Sequence, residues 1–264
     1  MTRPREGEAI PPLAAMVAAL GAALFVLPLV GLLWRAPWSD LGAALFEPEA
    51  LMAMRLSLVC SLAATAISIV LGLPLAWVQA RGRFPGRSIL RALTLLPVVL
   101  PPVVGGVALL SVFGRRGLLG QWLDPLGIRL PFTTAGAILA ETFVAMPFFV
   151  LSMEGVLSGL DRRLEDAART LGATRWTVFR RITVPLVRSS VAAGAALCWA
   201  RALGEFGATI TFAGNFPGRT QTIPLAVYIE LENRPDAGFA LSLVLLAVSL
   251  TILILMRGRW LEQS

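Results

Sequence analysis

The sequence predicts an all-α integral membrane protein with six transmembrane helices. Of its 264 residues, 56% are hydrophobic and only 15% are charged, and the mean hydropathy is +0.76. The hydrophobic residues fall in long runs separated by short, arginine-rich segments. A helix needs about 20 consecutive apolar residues to cross a bilayer, and these runs reach that length.

Six runs are long enough to be spans, and together they form one transmembrane domain. They lie at residues 13–33, 51–80, 88–113, 132–156, 186–212 and 237–256. We interpret the first run as a retained helix rather than a secretory signal, because it is too long and no small-residue cleavage site follows it. The segment from 215 to 234 is polar and contains glycine, so we predict a connection there.

The third predicted span contains residues that break helices. Pro97, Pro101 and Pro102 remove backbone donors inside the apolar run, and Gly105 allows another backbone to come close. Such breaks persist in a membrane only where the freed carbonyls face protein or water. We therefore predict that this span lines a pathway or forms a gate, with a kinked structural helix as the alternative.

One polar stretch, residues 158–185, separates the fourth and fifth spans. Its apolar residues recur at helical spacing and its charges fill the other faces, which predicts a short amphipathic helix. We expect Ser158 to cap this helix and Gly172 to end it. A second short helix follows from Thr174, and Pro185 stands where a new helix can begin.

This stretch resembles the E-A-A-x-x-x-G…I-x-L-P loop of ABC importer permeases. It reads Glu-Asp-Ala-Ala from Glu165, then Gly172, then Ile-Thr-Val-Pro at 182–185, with Asp166 replacing an alanine and Val184 the leucine. The resemblance implies a coupling helix that docks into a groove on a cytoplasmic ATPase, with Glu165 contacting the rim of that groove. The residues expected to contact the ATPase are Leu164, Glu165, Asp166, Ala167, Ala168, Gly172 and Pro185. The alternative is an ordinary amphipathic helix in a loop of a membrane protein.

A second run, residues 200–228, is similar to the permease subunit of molybdate importers. It contains G-E-F-G-A, A-G-N-x-P-G and T-Q-T-x-P-L-A-x-Y. The resemblance implies a permease for molybdate and tungstate, with sulfate or thiosulfate as the alternative. It also implies a homodimer with two copies of a separate ATPase, which binds ATP and magnesium, and an external binding protein.

Glu141, Arg201 and Glu205 are charged residues that lie deep inside predicted spans. Charges at membrane depth are functional candidates by default. Arg201 and Glu205 are one helical turn apart, and Glu141 falls at a depth similar to that of Arg201. We expect Glu205 and Glu141 to hold Arg201 structurally; direct contact of Arg201 with the anion is the alternative.

A polar loop follows the fifth span, and it offers backbone amides and neutral side chains to an oxyanion. We predict that it shapes the outer mouth and contacts the binding protein. The residues concerned are Asn215, Gly218, Thr220, Gln221 and Thr222. The alternative is a loop held by its own hydrogen bonds.

Missing residue types exclude several functions. The chain has no lysine and no histidine, so it carries no Walker A lysine and no histidine for a metal, a triad or general base catalysis. Cys60 and Cys198 lie in apolar segments without metal-ligand spacing, and we interpret them as packing residues rather than a disulfide. The predicted spans lack the reactive groups that a membrane-embedded enzyme would need. A proton-coupled carrier that uses Glu141 and Glu205 is a further alternative.

The arginines predict the orientation. With alternate loops on opposite sides, fifteen of the 23 arginines lie on the side of both termini, and seven lie on the other side. The positive-inside rule then places both termini in the cytoplasm. The resemblance to ABC importer permeases implies that the membrane is a bacterial inner membrane. The positive charge therefore reflects membrane orientation and does not indicate a nucleic-acid partner.

Overall fold

The computed structural model describes residues 11–161 and 163–260, and the regular elements in these residues are helical. This confirms the all-α prediction. A 3₁₀ turn occupies Asp124–Leu126, and a π-helical turn occupies Phe179–Thr183. The α-helices are α1 Pro12–Arg35, α2 Leu41–Leu45, α3 Pro48–Arg81, α4 Arg87–Val99, α5 Pro102–Phe113, α6 Gly120–Leu123, α7 Thr134–Gly159, α8 Arg163–Thr170, α9 Arg175–Val178, α10 Val184–Leu186, α11 Arg188–Leu203, α12 Gly207–Ala213, α13 Ile223–Asn233 and α14 Pro235–Trp260.

Four helices in the described residues are long and apolar enough to cross a bilayer. They are α1, α3, α7 and the Pro235–Leu255 part of α14, and they match the first, second, fourth and last predicted spans. A fifth arises if the Arg175–Leu186 segment and α11, which meet at 76°, count as one broken span. The number six stays a prediction.

The third predicted span is not one helix. It divides into α4 and α5 at residues 100–102, where Leu100 adopts an extended conformation (φ −66°, ψ 132°). The residue before a proline avoids the helical region, and Pro101 follows Leu100 directly. Pro97, by contrast, is accommodated inside the last turn of α4.

The fifth predicted span is interrupted, and the predicted connection after it is partly helical. The helix α11 stops at Leu203, and a turn at 204–206 leads into the separate helix α12. The segment 215–234 contains α13, which begins with a proline in its first turn. Proline at the start of a helix loses no needed hydrogen bond, and buried Leu225 and Ala226 then anchor α13 in the fold.

The core is built around α7, which packs against α3 and α11. Phe149 and Met153 of α7 are fully buried there. A Cβ atom at Gly72 of α3 would lie 2.9 Å from the Phe149 ring, so the absence of a side chain lets α3 approach closely. Cys60 and Cys198 are buried free thiols, as the packing interpretation predicted.

Candidate functional site

The coupling segment, residues 158–185, folds over one end of the helix bundle, where α3 and α7 both terminate. The Arg163 N–H donates to Asp161 Oδ1 at 2.9 Å, so Asp161 caps α8. The predicted cap, Ser158, is wrong, because α7 continues through it to Gly159 and the turn therefore starts later. The predicted second short helix, α9, does follow from Thr174, whose hydroxyl caps it by accepting the N–H of Thr177.

Gly172 ends α8 in the left-handed conformation, with φ +85°. The N–H of Ala173 then reaches back to the carbonyl of Ala168 at 3.0 Å, which is the closing pattern of a glycine-terminated helix. The turn reverses the chain so that α8 and α9 lie side by side. This reversal leaves residues of α8, the turn and α9 exposed on one surface, which we call the coupling surface.

Most of the predicted coupling residues lie on that surface. Leu164, Asp166, Ala167, Gly172 and Pro185 are exposed, and Ala168 is half-buried. Leu171 is 88% exposed and Trp176 is also exposed beside them. Clustered large apolar side chains in contact with water are typical of a protein interface.

Glu165 does not lie on the exposed surface, so its predicted contact with the ATPase rim is wrong. Only 4% of it is exposed, and its carboxylate accepts a hydrogen bond from Thr183 Oγ1 at 3.0 Å. Its other oxygen lies 3.4 Å from Arg81 Nε, and a buried carboxylate needs such a partner. In the loop pattern the acidic residue precedes the glycine by six positions. That position is the exposed Asp166.

A cavity of about 740 Å³ opens between the last turn of α3 and the coupling segment. Its lining combines aromatic rings, including Trp77, Phe84 and Trp176, with basic side chains. Arg83 and Arg175 line it and form no ion pair within the described part of the chain. The coupling surface is therefore bordered by a concave, basic and aromatic wall.

Two helix breaks meet inside the bundle: the one between α4 and α5, and the one between α11 and α12. A Cβ atom at Gly207 would lie 2.7 Å from Cβ of Pro102. One at Gly106 would lie 2.5 Å from Cβ of Thr211, whereas one at Gly105 would meet the Phe143 ring at 3.1 Å. We call residues 100–102 and 204–206, with the residues that pack between them, the helix-break region.

Glu205 holds the second break together. Its Oε2 lies 2.7 Å from Arg201 Nη2, and its Oε1 accepts the N–H of Ala208 at 2.8 Å. One carboxylate thus joins the end of α11 to the first turn of α12, where a negative charge also complements the helix dipole. The guanidinium of Arg201 also lies over the Phe148 ring, 5.8 Å from its centroid.

Glu141 does not share this role. It is 1% exposed, its Oε2 has no hydrogen-bond partner, and no ion pair within 4.0 Å joins it to Arg201 in the described residues. The part of the hypothesis that placed Glu141 on Arg201 is therefore wrong. Similar depth along two helices does not determine which way a side chain points.

At the opposite end of the bundle, the predicted mouth loop is held mostly by its own hydrogen bonds. Thr220 is fully buried and its hydroxyl accepts the N–H of Phe216 at 2.9 Å. Thr222 is buried as well, so both are wrong as accessible contacts. Gly218 is exposed with φ +69°, and Asn215 and Gln221 are half-buried.

An ion triad lies near this loop. Arg234 Nε lies 2.8 Å from Glu230 Oε2, and the guanidinium also contacts Glu47. These two carboxylates raise the pKa of the Arg234 guanidinium above its usual value, so the arginine stays charged. The triad joins the segment before α3 to the turn between α13 and α14.

Sequence reasoning missed Arg81 and Arg91 as partners of buried carboxylates. Arg81 contacts Glu165, and Arg91 Nε lies 3.1 Å from Glu154 Oε2. Both arginines had been counted only toward membrane orientation. The one available signal was Glu154 itself, an acidic residue near the end of a predicted span.

The protein family of this chain follows from its sequence match to a known family. Residues 69–264 match the model described as the binding-protein-dependent transport system inner membrane component. The chain belongs to this permease family. It is therefore a multi-pass inner-membrane transport component and a permease subunit of an ABC importer.

Curated relatives lie in two groups of this family. The "Molybdenum transport system permease protein ModB" of Mycobacterium bovis is 44% identical over 236 residues, 89% of each chain. The protein of the same name from Escherichia coli K12 is 43% identical over 83% of this chain and 96% of its own. The Escherichia coli "Sulfate transport system permease protein CysT" is 37% identical over 87% of this chain and 84% of its own.

Solved ABC transporters share the fold of this permease. A bacterial ABC transporter involved in the import of the acidic polysaccharide alginate has a TM-score of 0.71 at 20% identity, covering 94% of both chains. The MetNI methionine ABC transporter, in an inward-facing conformation, has a TM-score of 0.57 at 18% identity, covering 79% of this chain and 95% of its own. At these identities the likeness concerns the fold alone.

Proposed function

We propose that this permease imports molybdate, and tungstate with it, across the bacterial inner membrane. The observation that carries the proposal is the greater identity to relatives named as molybdenum permeases, 44% and 43%, than to the relative named as a sulfate permease, 37%. The G-E-F-G-A and T-Q-T-x-P-L motifs of residues 200–228 point to the same group. Import of sulfate or thiosulfate is the second candidate, because the sulfate relative spans most of the chain.

The proposed assembly is a homodimer of this chain with two ATPase copies and an external binding protein. ATP and magnesium belong to the ATPase, because this chain has no lysine for a phosphate-binding loop. The arginine distribution supports placing both termini and the coupling segment in the cytoplasm. The loop at Asn215, Gly218 and Gln221 then faces the binding protein.

The proposed mechanism links two regions of the chain. The ATPase binds the exposed face of α8, around Leu164, Asp166 and Gly172, and displaces it when ATP binds. The displacement changes the packing of the helix-break region, where Gly106 and Gly207 let α5 and α12 come into close contact. Opening there alternately exposes the pathway to each side, and the permease itself makes or breaks no covalent bond.

The test is anion-dependent ATP hydrolysis and uptake by the permease reconstituted with its candidate ATPase and binding protein. Molybdate, tungstate and sulfate are titrated separately, with vesicles lacking ATP as the control. We expect stimulation by molybdate and tungstate only. Stimulation by sulfate alone would contradict the substrate, and uptake without ATP would instead indicate a secondary carrier.

A further inference from the structure

Arg81 joins three parts of the chain at the end of α3. Its Nη2 donates to the carbonyl of Leu160, just after α7, at 3.1 Å. Its Nε lies 3.4 Å from Oε2 of Glu165 in α8. The side chain is only 9% exposed, so these contacts are largely shielded from water. Screening by solvent is weak in such a position, so the two opposite charges attract each other across 3.4 Å although Arg81 Nε forms no hydrogen bond.

The same turn of α3 also holds the other half of the coupling segment. Thr183, at the end of the π-helical turn, donates to the second oxygen of Glu165 at 3.0 Å. Trp77, one turn before Arg81, packs on Phe179 with ring centroids 4.9 Å apart. Both α8 and the π-helical turn of the coupling segment therefore contact the last turns of α3.

This contact matters because α3 is not adjacent to the coupling segment in the sequence. The segment continues directly into α7 on one side and α11 on the other, whereas α3 is reached only through side chains. Within the described residues, the Arg81 and Glu165 pair is the only ion pair between α8 and a helix long enough to span the bilayer. A movement of α8 can pull α3 through this pair.

The helix α3 carries such a movement to the opposite end. Ser57 lies 24 residues before Arg81, about 36 Å along a straight helix. Its hydroxyl accepts the N–H of Ile223, the first residue of α13, at 2.7 Å. The helix α3 is thus attached at its last turn, and again 24 residues earlier, by buried polar contacts to segments that we place on opposite sides of the membrane.

We propose that Arg81 and Glu165 couple displacement of the coupling segment to α3, and through α3 to α13. Arg81 is a positioning residue, because it touches neither the anion nor the nucleotide. The inference rests on the proposed function in requiring a partner ATPase, but it does not depend on which anion is carried. Glu165 serves inside the permease, while Asp166 and its neighbours contact the ATPase.

The experiment measures ATP hydrolysed per anion imported by the reconstituted complex of permease, ATPase and binding protein. For Arg81→Met we expect an assembled complex that hydrolyses ATP but imports about tenfold less anion per ATP. The exchange of Arg81→Glu with Glu165→Arg restores opposite charges and should recover most of the wild-type ratio. A residue that served stability alone would lower the amount of complex without changing this ratio.

Arg91→Met is the matched control, because Arg91 also pairs with a buried carboxylate, Glu154, but on a different helix pair. It should lower thermal stability and leave the ratio unchanged. Should Arg81→Met fail to assemble, Thr183→Val removes only one hydrogen bond to Glu165 and should still lower the ratio. A wild-type ratio in whichever of these two variants assembles overturns the proposal.

The two proposals fail in different ways. A wild-type complex with no anion-stimulated ATP hydrolysis would refute the proposed function. A wild-type complex that responds to sulfate instead of molybdate would refute the substrate, and the ratio could then be measured with sulfate. A working complex whose ratio is unchanged by Arg81→Met, or by Thr183→Val where Arg81→Met does not assemble, refutes the coupling through α3.

Discussion

Replacing Gly106 by alanine tests whether α5 and α12 touch directly in the helix-break region. The added Cβ would lie 2.5 Å from Cβ of Thr211 and 3.0 Å from the carbonyl oxygen of Ala208. Carbon atoms in good contact are about 3.5 to 4.0 Å apart, so the helices must separate by about 1 Å. Overpacking of this kind costs about 1 to 3 kcal/mol.

The change also has a favourable part. Alanine stabilises a helix interior by about 1 kcal/mol relative to glycine. The net effect at Gly106 is then a loss of up to about 2 kcal/mol of unfolding free energy. Gly155 of α7 is the matched control, because it is exposed and a Cβ atom there meets nothing within 4 Å. Gly155→Ala should stabilise the protein by about 0.5 to 1 kcal/mol.

The assay is thermal unfolding of the two purified variants in detergent, compared with the wild type, followed by anion uptake in vesicles. We expect the Gly106→Ala variant to unfold below the wild type and the Gly155→Ala variant to unfold at or above it. Uptake should fall only for Gly106→Ala. Equal unfolding temperatures and equal uptake in the two variants would refute close contact between α5 and α12.

Three further predictions concern single side chains. Glu205→Gln keeps an acceptor for α12 but loses the ion pair with Arg201, so the unfolding free energy should fall by about 1 to 3 kcal/mol, and an unchanged thermal midpoint would contradict this. Thr220→Val leaves the N–H of Phe216 unpaired, so hydrogen exchange at that amide should accelerate about tenfold or more. The KM for anion uptake should stay the same, and a raised KM would indicate that Thr220 does contribute to the outer mouth. Gly172→Ala places a side chain at φ +85°, costing about 1 to 2 kcal/mol, and should weaken ATPase binding in a pull-down titration; wild-type affinity would argue against the turn as part of the coupling surface.

Hydropathy and local chemistry correctly predicted the elements that are determined by residues close to one another in the sequence. Apolar runs longer than a bilayer is thick are forced to be helical, because lipid offers no partner for backbone polar groups. Local chemistry likewise explains why Pro101 broke the third predicted span and why Gly172 ended α8. Where a short helix competes with a polar loop, as in α13, composition alone failed, because burial of Leu225 against other helices stabilises it.

The sequence by itself determined the membrane class, most of the long helices, the break at Pro101 and the family, since each depends on residue types within a few turns. Tertiary structure alone decided which charges meet between different helices. Glu165 turned inward to Arg81, and Glu141 stayed without the arginine that its depth had suggested. The direction of a buried carboxylate depends on how distant helices pack around it. That packing decides which acid stays exposed on α8 and which one faces α3.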